Sequence, residues 1–330
     1  VKLFGFFFLF FVLFGVHAQQ KYVSSHQTLK LMGSRFEITV VSTNEELGHI
    51  NIEEAVAEIS RIERLISAWN PDSETSLINK NAGLKPVKVS MELFNLIERA
   101  KQVSYLTDGA FDISYSSLDK VWTFDGSMKT IPTEEQIKKS VEKIGHEKII
   151  LNKQNQTVFL KEEGMKISFG AMGKGYAADK AKSLLISKQV IAGIINAGGD
   201  LTTWGTKASG EKWLIGIANP LNKDRIFSWL PIVESSVATS GNYERFVTFE
   251  GKRYSHIIDP RSGYPSTGIN SVSVFAKSAE LSDALATAVF IMGSETGLSL
   301  INQLAETEVI IVDSENKMHK SDGVLFERDP

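Results

Sequence analysis

Met165-Lys166-Ile167-Ser168-Phe169-Gly170-Ala171-Met172-Gly173-Lys174-Gly175-Tyr176-Ala177-Ala178-Asp179 is the stretch that decides the architecture. Apolar side chains alternate at Met165, Ile167 and Phe169, which predicts a strand with one buried face over 165–169. Glycines then break the alternation. Residues 176–188 fit a helix, and 192–196 read as a buried strand. Strand, glycine-rich turn, helix and strand follow in one short run, so sheet and helices belong to one unit.

Working outward, 29–41 reads as a strand ending in alternation at Phe36, Ile38 and Val40. Ile52, Ala55, Val56, Ile59, Ile62, Ile66 and Trp69 recur at helical spacing, and Asn70-Pro71-Asp72 stops that helix. Ser90 can cap a second helix with Leu93, Leu96, Ile97, Ala100 and Val103 on one face. Thr133-Glu134-Glu135-Gln136 is a capping box for a third, running to Gly145. A hairpin is predicted over 148–151 and 157–161, with further strands at 213–218, 228–233, 245–249, 254–258, 272–275 and 309–312. Helices are predicted at 281–292 and 296–304. Strands and helices mix without strict βαβ alternation, which predicts an α+β fold with a mixed or antiparallel sheet core and packed helices. No Pro/Gly/Ser linker divides the chain, so 21–330 is expected to be one catalytic domain with a more helical first half.

The formal net charge of -3 argues against a nucleic-acid surface, which needs a basic field. Lys2 followed by an apolar run from Leu3 to Val16, with Val16-His17-Ala18 ahead of Gln19, reads as a cleaved secretory signal over 1–18. The alternative is an uncleaved segment tethering the chain to the inner membrane. The expected location is exported and periplasmic. The chain has no cysteine, so disulfides, thiol catalysis, thiolate metal sites and cysteine acylation are all excluded.

Several segments carry groups suited to chemistry, and each alone also admits a plain structural reading. The turn from Gly170 to Gly175 before a helix offers backbone N–H groups and Lys174 to an anion such as pyrophosphate, or is an ordinary glycine turn. Gly173, Gly175 and Ala178 fit a loose Gly-x-Gly-x-x-Ala pattern, but the acidic residue a dinucleotide fold wants about 20 positions on is missing. Asn196-Ala197-Gly198-Gly199-Asp200 ends a buried strand in two glycines and a carboxylate: a ligand approach or a tight turn. His256 sits with Ser255, Asp259 and Arg261 before a Pro-Arg-Ser-Gly turn, as a general base or a structural histidine. Asp283 and Thr287 stand at i and i+4, where their hard oxygens share a helix face and suit Mg²⁺, or bond back to the helix. Thr107-Asp108-Gly109-Ala110-Phe111-Asp112 is a polar turn. Trp69 is expected in the core, the alternative being a stack on a flat ligand.

The order of these segments resembles the FAD:protein FMN transferases, the ApbE-like flavin transferase family. The resemblance runs over about 29–313. It includes Met32-Gly33-Ser34, Ser67-Ala68-Trp69, the Thr107–Asp112 turn and the Lys174 segment. It continues through Asn196–Asp200, Ala238-Thr239-Ser240-Gly241-Asn242-Tyr243-Glu244-Arg245, the stretch around His256, and Asp283-Ala284-Leu285-Ala286-Thr287. It implies that FAD is a substrate and Mg²⁺ a cofactor. It implies metal contacts from Asp283, Thr287 and the backbone carbonyl near Ala171. Met32, Trp69, Asp108, Lys174, Gly198, Gly199, Asp200, Ser240 and His256 would line the FAD pocket, with His256 catalytic. The implied partner is an acceptor flavoprotein subunit of a membrane electron-transfer complex, modified on a Thr or Ser hydroxyl. Many members carry Asp where Ser168 stands, Ala where Gly173 stands and Tyr where Trp69 stands, which puts the charge near the pocket and the flavin packing in doubt. Three other readings stay open: an FAD pyrophosphatase giving FMN and AMP, an exported FAD-binding protein, and a nicotinamide oxidoreductase.

Overall fold

Leu31-Met32-Gly33-Ser34 reverses the chain almost at once. Met32 (φ 49) and Gly33 (φ 72) are both left-handed, the conformation whose twist matches a tight hairpin. The expected strand over 29–41 is therefore two strands, with Leu31 paired to Ser34. The computed structural model describes residues 21–324 apart from 126, 129, 220, 221, 243–245, 250 and 251. The segment read as a signal over 1–18 and the Tyr243-Glu244-Arg245 part of the family motif lie outside the described residues.

Among the described residues the helices are α1 (Glu45–Ile66), α2 (Glu74–Lys80), α3 (Met91–Leu106), α4 (Glu134–Ser140), α5 (Gly173–Ser187), α6 (Ala279–Met292) and α7 (Ser294–Ile301). The strands are β1 (Val23–Leu31), β2 (Ser34–Ser42), β3 (Val87–Lys88), β4 (Ile149–Asn152), β5 (Thr157–Leu160), β6 (Ala192–Ala197), β7 (Asp200–Trp204), β8 (Trp213–Asn219), β9 (Asn222–Ile232), β10 (Ser236–Gly241), β11 (Phe246–Phe249), β12 (Lys252–Ser255), β13 (Ile269–Ala276), β14 (Glu308–Asp313) and β15 (Met318–Lys320). Eight strands make the main sheet in the order β1-β2-β6-β7-β10-β13-β14-β15. Every neighbouring pair is antiparallel, which makes the fold α+β, as expected.

Alternation sets the two faces of that sheet. Phe36, Ile38 and Val40 of β2 are fully buried, and with Ile195 and Val272 they form one core with α1, α5 and α6. The opposite face carries Leu201, Val237 and Val41, covered by Trp213 and Ile215 of the β8–β9 hairpin. Gly193 lies under Trp204, whose ring would overlap any Cβ placed there. The Trp204 indole N–H also donates to the Val190 carbonyl at 2.9 Å, which fixes the ring.

Four expectations change. Residues 165–169 form no ladder, although Met165, Ile167 and Phe169 are buried in alternation. Their backbone is satisfied by side chains instead: Asn79 bonds both N–H and C=O of Ile167, and Ser117 does the same at Lys166. The third helix keeps its Thr133–Gln136 capping box but ends at Ser140, short of Gly145. The strand expected over 254–258 stops at Ser255, because the Asp259–Tyr264 turn pulls the chain out of register and leaves a single bridge between Ile258 and Pro265. Strands β7 and β10 were not foreseen. They bury Thr202, Thr203 and Ser236, so the apolar alternation that marks a strand is missing. Those hydroxyls bond one another and the backbone, Ser236 Oγ donating to Thr202 Oγ1 at 2.9 Å.

Glu92 on α3 ties two other helices. It accepts from Arg61 of α1 at 2.7 Å and from the Tyr176 phenol of α5 at 2.9 Å. The Arg61 guanidinium beside it holds its carboxyl down to about 2. A depressed carboxyl stabilises the fold above its unfolded value of 4.5 and loses that contribution as pH falls toward 2. Glu92→Gln should therefore flatten the fall in Tm across that acid window, measured by thermal melts against pH. Gly193→Ala should cost about 1–3 kcal/mol in urea unfolding, because the Trp204 ring must move.

Candidate active site

Four stretches of chain meet around one cavity. Helix α5 begins at Gly173 after Met172, and no side chain caps its first turn. Its first N–H groups are met within the fold: Gly173 donates to the Phe169 carbonyl at 2.6 Å, and Gly175 donates to the Asp283 carboxylate of α6. Lys174 stands in this turn. The β6–β7 turn holds Gly198 (φ 68) and Gly199 (φ 108), both in the region that favours glycine. Asn196 accepts the Gly199 N–H at 2.8 Å and sets Asp200 at the head of β7. Strand β10 contributes Ser240, and α6 contributes Asp283 and Thr287 one turn apart.

Charge concentrates where these meet. Lys174 Nζ is 2.7 Å from Asp200 Oδ2 and 3.7 Å from Asp283 Oδ2. Asp200 and Asp283 are 5% and 6% exposed, so both carboxylates are nearly stripped of water. Burial pushes both above the usual carboxylate range. The neighbouring acid adds to that push at Asp200, and Lys174 draws both back. Ser240 Oγ lies 3.3 Å from Thr287 Oγ1. Asp283 Oδ2 is buried with no hydrogen-bond partner among the described residues. The Lys174 ammonium stands 3.7 Å away, beyond hydrogen-bond range, so this buried oxygen can still take a cation.

These residues line a cavity of about 900 Å³, large for a small-molecule site. Met32, Ala171, Gly198, Ser240, His256 and Thr287 are on its wall together with Lys174 and the two acids. Met32 is held there by its turn, its N–H donating to Glu63 at 3.2 Å. His256 is half-buried in the stretch after β12, where Ser255 Oγ accepts the Ile257 N–H at 3.1 Å. Ser168 also faces the cavity, its N–H bonded to the Ile113 carbonyl at 2.9 Å.

Two predicted positions, Asp108 and Gly199, lie off the cavity wall, and Trp69 lines the cavity without packing in the core. Trp69 is not core: it is 91% exposed on the cavity rim, because α1 ends at Ile66 and the chain turns outward. Asp108 is exposed and off the cavity wall; it adopts φ 49, and its carbonyl accepts from Arg261 at 3.4 Å. Gly199 is exposed behind Gly198 and shapes the turn without lining the cavity. The wall beside Asp108 is made instead by Ala110, Phe111, Asp112, Ile113 and Tyr115. Asp112 is buried and accepts from Ser114 N at 2.8 Å and His146 N at 2.7 Å, which anchors this wall. The clue in the sequence was Asp112 two residues ahead of Ser114, a spacing at which a carboxylate caps the next turn.

Among the described residues no three His, Asp or Glu side chains gather around one point. A cation here would be held by Asp283, Thr287 and a carbonyl, with a ligand's oxygens completing its shell, which is how Mg²⁺ is usually held beside phosphates. The site can thus take an elongated anionic ligand: Lys174 stands among acids suited to a hard cation, and the His256 imidazole lines the same cavity.

Comparison with known proteins points the same way. The sequence profile described as the ApbE family matches residues 32–311. An FAD:protein FMN transferase of Klebsiella pneumoniae is 34% identical over 284 residues, covering 86% of this chain and 87% of its own. One of Treponema pallidum is 30% identical over 292 residues, covering 84% and 81%. The crystal structure of the ApbE protein of Thermotoga maritima superposes with TM-score 0.82 at 29% identity, covering 91% of this chain and 97% of that one. The apo flavinyl transferase ApbE of Pseudomonas stutzeri, at 24% identity and TM-score 0.79, covers 91% and 95% and shares the fold.

Because Trp69 packs against little, Trp69→Ala should leave stability within about 0.5 kcal/mol in urea unfolding. A loss well above that would return Trp69 to the core.

Proposed function

The chain belongs to the ApbE family, and from that premise we propose that it is an FAD:protein FMN transferase, an enzyme that splits the pyrophosphate of FAD, passes the FMN half to an acceptor protein and releases AMP. The observation that carries this reading is the cavity wall where Lys174 and the buried carboxylates of Asp200 and Asp283 converge. A pyrophosphate is the ligand whose charge and length those groups suit together.

In the reaction, a Thr or Ser hydroxyl oxygen of the acceptor forms a bond to the FMN phosphorus. The bridging P–O bond breaks, and its electron pair leaves on AMP. Such transfer is mostly positioning and charge neutralisation. Lys174, on the first turn of α5, holds the pyrophosphate and offsets its charge. His256, on the same wall, takes the hydroxyl proton. Trp69 on the rim offers an aromatic face to the flavin. Mg²⁺ fits beside these groups: Asp283 and Thr287 would hold it by their side chains and Ala171 by its carbonyl, and the buried Asp283 Oδ2 supports that assignment. When bound, the ion supplies neutralisation of the phosphate charge.

We further propose that the chain acts outside the cytoplasm on a flavoprotein subunit of a membrane electron-transfer complex. The signal-like segment over 1–18 and the family resemblance support this.

Intact mass of an acceptor incubated with the chain, FAD and Mg²⁺ tests the reading: a gain of one FMN, lost with EDTA, is expected. Free FMN and AMP with an unmodified acceptor would favour a pyrophosphatase, and no cleavage would sink the proposal. Asp283→Ala should abolish Mg²⁺-dependent cleavage. His256→Ala should lower kcat by about 100-fold or more while FAD still binds, measured by quenching of flavin fluorescence.

A further inference from the structure

Helix α5 has two working faces. Ala177, Ala178, Ala181 and Leu185 are fully buried in the core and anchor the helix by apolar packing. Gly175, Asp179 and Lys182 follow at i, i+4 and i+7, a second stripe along the same helix. Two members of that stripe, Asp179 and Lys182, are charged and half-buried.

Each member of the stripe grips an element that carries part of the active site. At Gly175 the helix touches α6 backbone to backbone, so closely that a Cβ would overlap the Ala279 carbonyl. One turn on, the Asp179 carboxylate accepts the N–H groups of Ala279 at 3.0 Å and Glu280 at 2.9 Å, the first two of α6. The third is already met by Ser278, whose hydroxyl accepts the Leu281 N–H at 3.1 Å. Helix α6 thus has a local cap, and Asp179 adds a tie from another helix. A further turn on, Lys182 donates to the Thr203 carbonyl at 2.9 Å and to Thr202 Oγ1 at 3.3 Å on β7. Thr202 is two residues beyond Asp200, so both project from the same face of that strand.

Burial pushes the Asp179 carboxyl up to about 6 and draws the Lys182 ammonium down. Keeping both charged groups therefore costs stability that an apolar stripe would not. Their geometry is what they return. Lys174 rides on α5 itself, Asp283 and Thr287 on α6, and Asp200 on β7. One stripe fixes the three carriers relative to one another.

We propose that Asp179 and Lys182 are positioning residues of the active site, Asp179 setting where α6 presents Asp283 and Thr287, and Lys182 setting where β7 presents Asp200. The inference rests on the proposed transferase function for its kinetic readouts alone. Small errors in placement matter at such a site, because partners that orient metal ligands change affinity or rate by about 10- to 100-fold.

The test compares the full chain with Asp179→Asn, Asp179→Ala and Lys182→Met. Four quantities are read: Tm with EDTA, the Tm shift on adding Mg²⁺ alone, the Mg²⁺ concentration for half-maximal FAD cleavage, and kcat and KM for FAD. Asp179→Ala should raise the half-maximal Mg²⁺ about tenfold and shrink the Mg²⁺ Tm shift, with KM for FAD little changed. Asp179→Asn keeps one acceptor oxygen and should fall between. Lys182→Met should lower kcat about tenfold and leave the Mg²⁺ response intact. If Asp179→Ala lowers Tm yet keeps the wild-type Mg²⁺ response and kcat, Asp179 is a helix cap and no more. An unaltered kcat in Lys182→Met overturns the second half. Failure of the wild-type chain to cleave FAD would sink the transferase reading, and the Mg²⁺ Tm shift would still decide on Asp179. A wild type with no Mg²⁺ response at all would overturn both.

Discussion

Lys174 between Asp200 and Asp283 is the contact around which the rest is arranged. Two acids nearly stripped of water can stay close only if a cation stands with them. Such a group gains little for stability, because desolvation offsets most of the attraction. The surrounding fold must therefore hold it in place. The core under α1, α5 and α6 supplies that support, since Phe36, Ile38 and Val40 are fully buried against those helices. The start of α5 follows the same logic: with no N-cap side chain, its Gly175 N–H meets the Asp283 carboxylate and ties the two helices that carry the charged group.

Much of this was legible in the residues. Period two gave β2, and caps at Ser90 and Thr133 gave two helix starts as observed. Asp283 and Thr287 could be put on one helix face from their spacing alone. What could not be read was where the chain satisfies buried polarity by unusual means. Strands β7 and β10 hide behind Thr202, Thr203 and Ser236, which look like loop residues until their hydroxyls are seen to pair. The stretch over 165–169 has the alternation of a strand, yet Asn79, nearly ninety positions earlier, takes the place of a neighbouring strand. A contact of that range leaves no local signature.

The site shows the same division. Residue types and order pointed to the cavity wall, and nearly all the predicted positions lie on it. Trp69 and Asp108 mark the limit. Trp69 continues the helical spacing of α1 but sits beyond its end, so periodicity carried one step too far. Asp108 and Asp112 occupy one short turn, and only the three-dimensional path separates the exposed carboxylate from the buried one. The β6–β7 turn is similar: of two adjacent glycines, Gly198 faces the cavity and Gly199 serves the turn.

The order of the main sheet also bears on how the molecule comes into being. Strand β2 pairs with β6, so that Phe36 meets Ala197, and β10 lies between β7 and β13. Contacts between such distant segments are slow to form, because long loops must close before any pairing repays the lost chain entropy. The cavity draws its wall from Met32 at one extreme and Ile291 at the other. It is therefore a product of completed folding and has no partial form: until α6 docks, the newly made chain holds no place for a dinucleotide. Substrate bound to the finished protein would then act as a latch, favouring the assembled cavity over its opening.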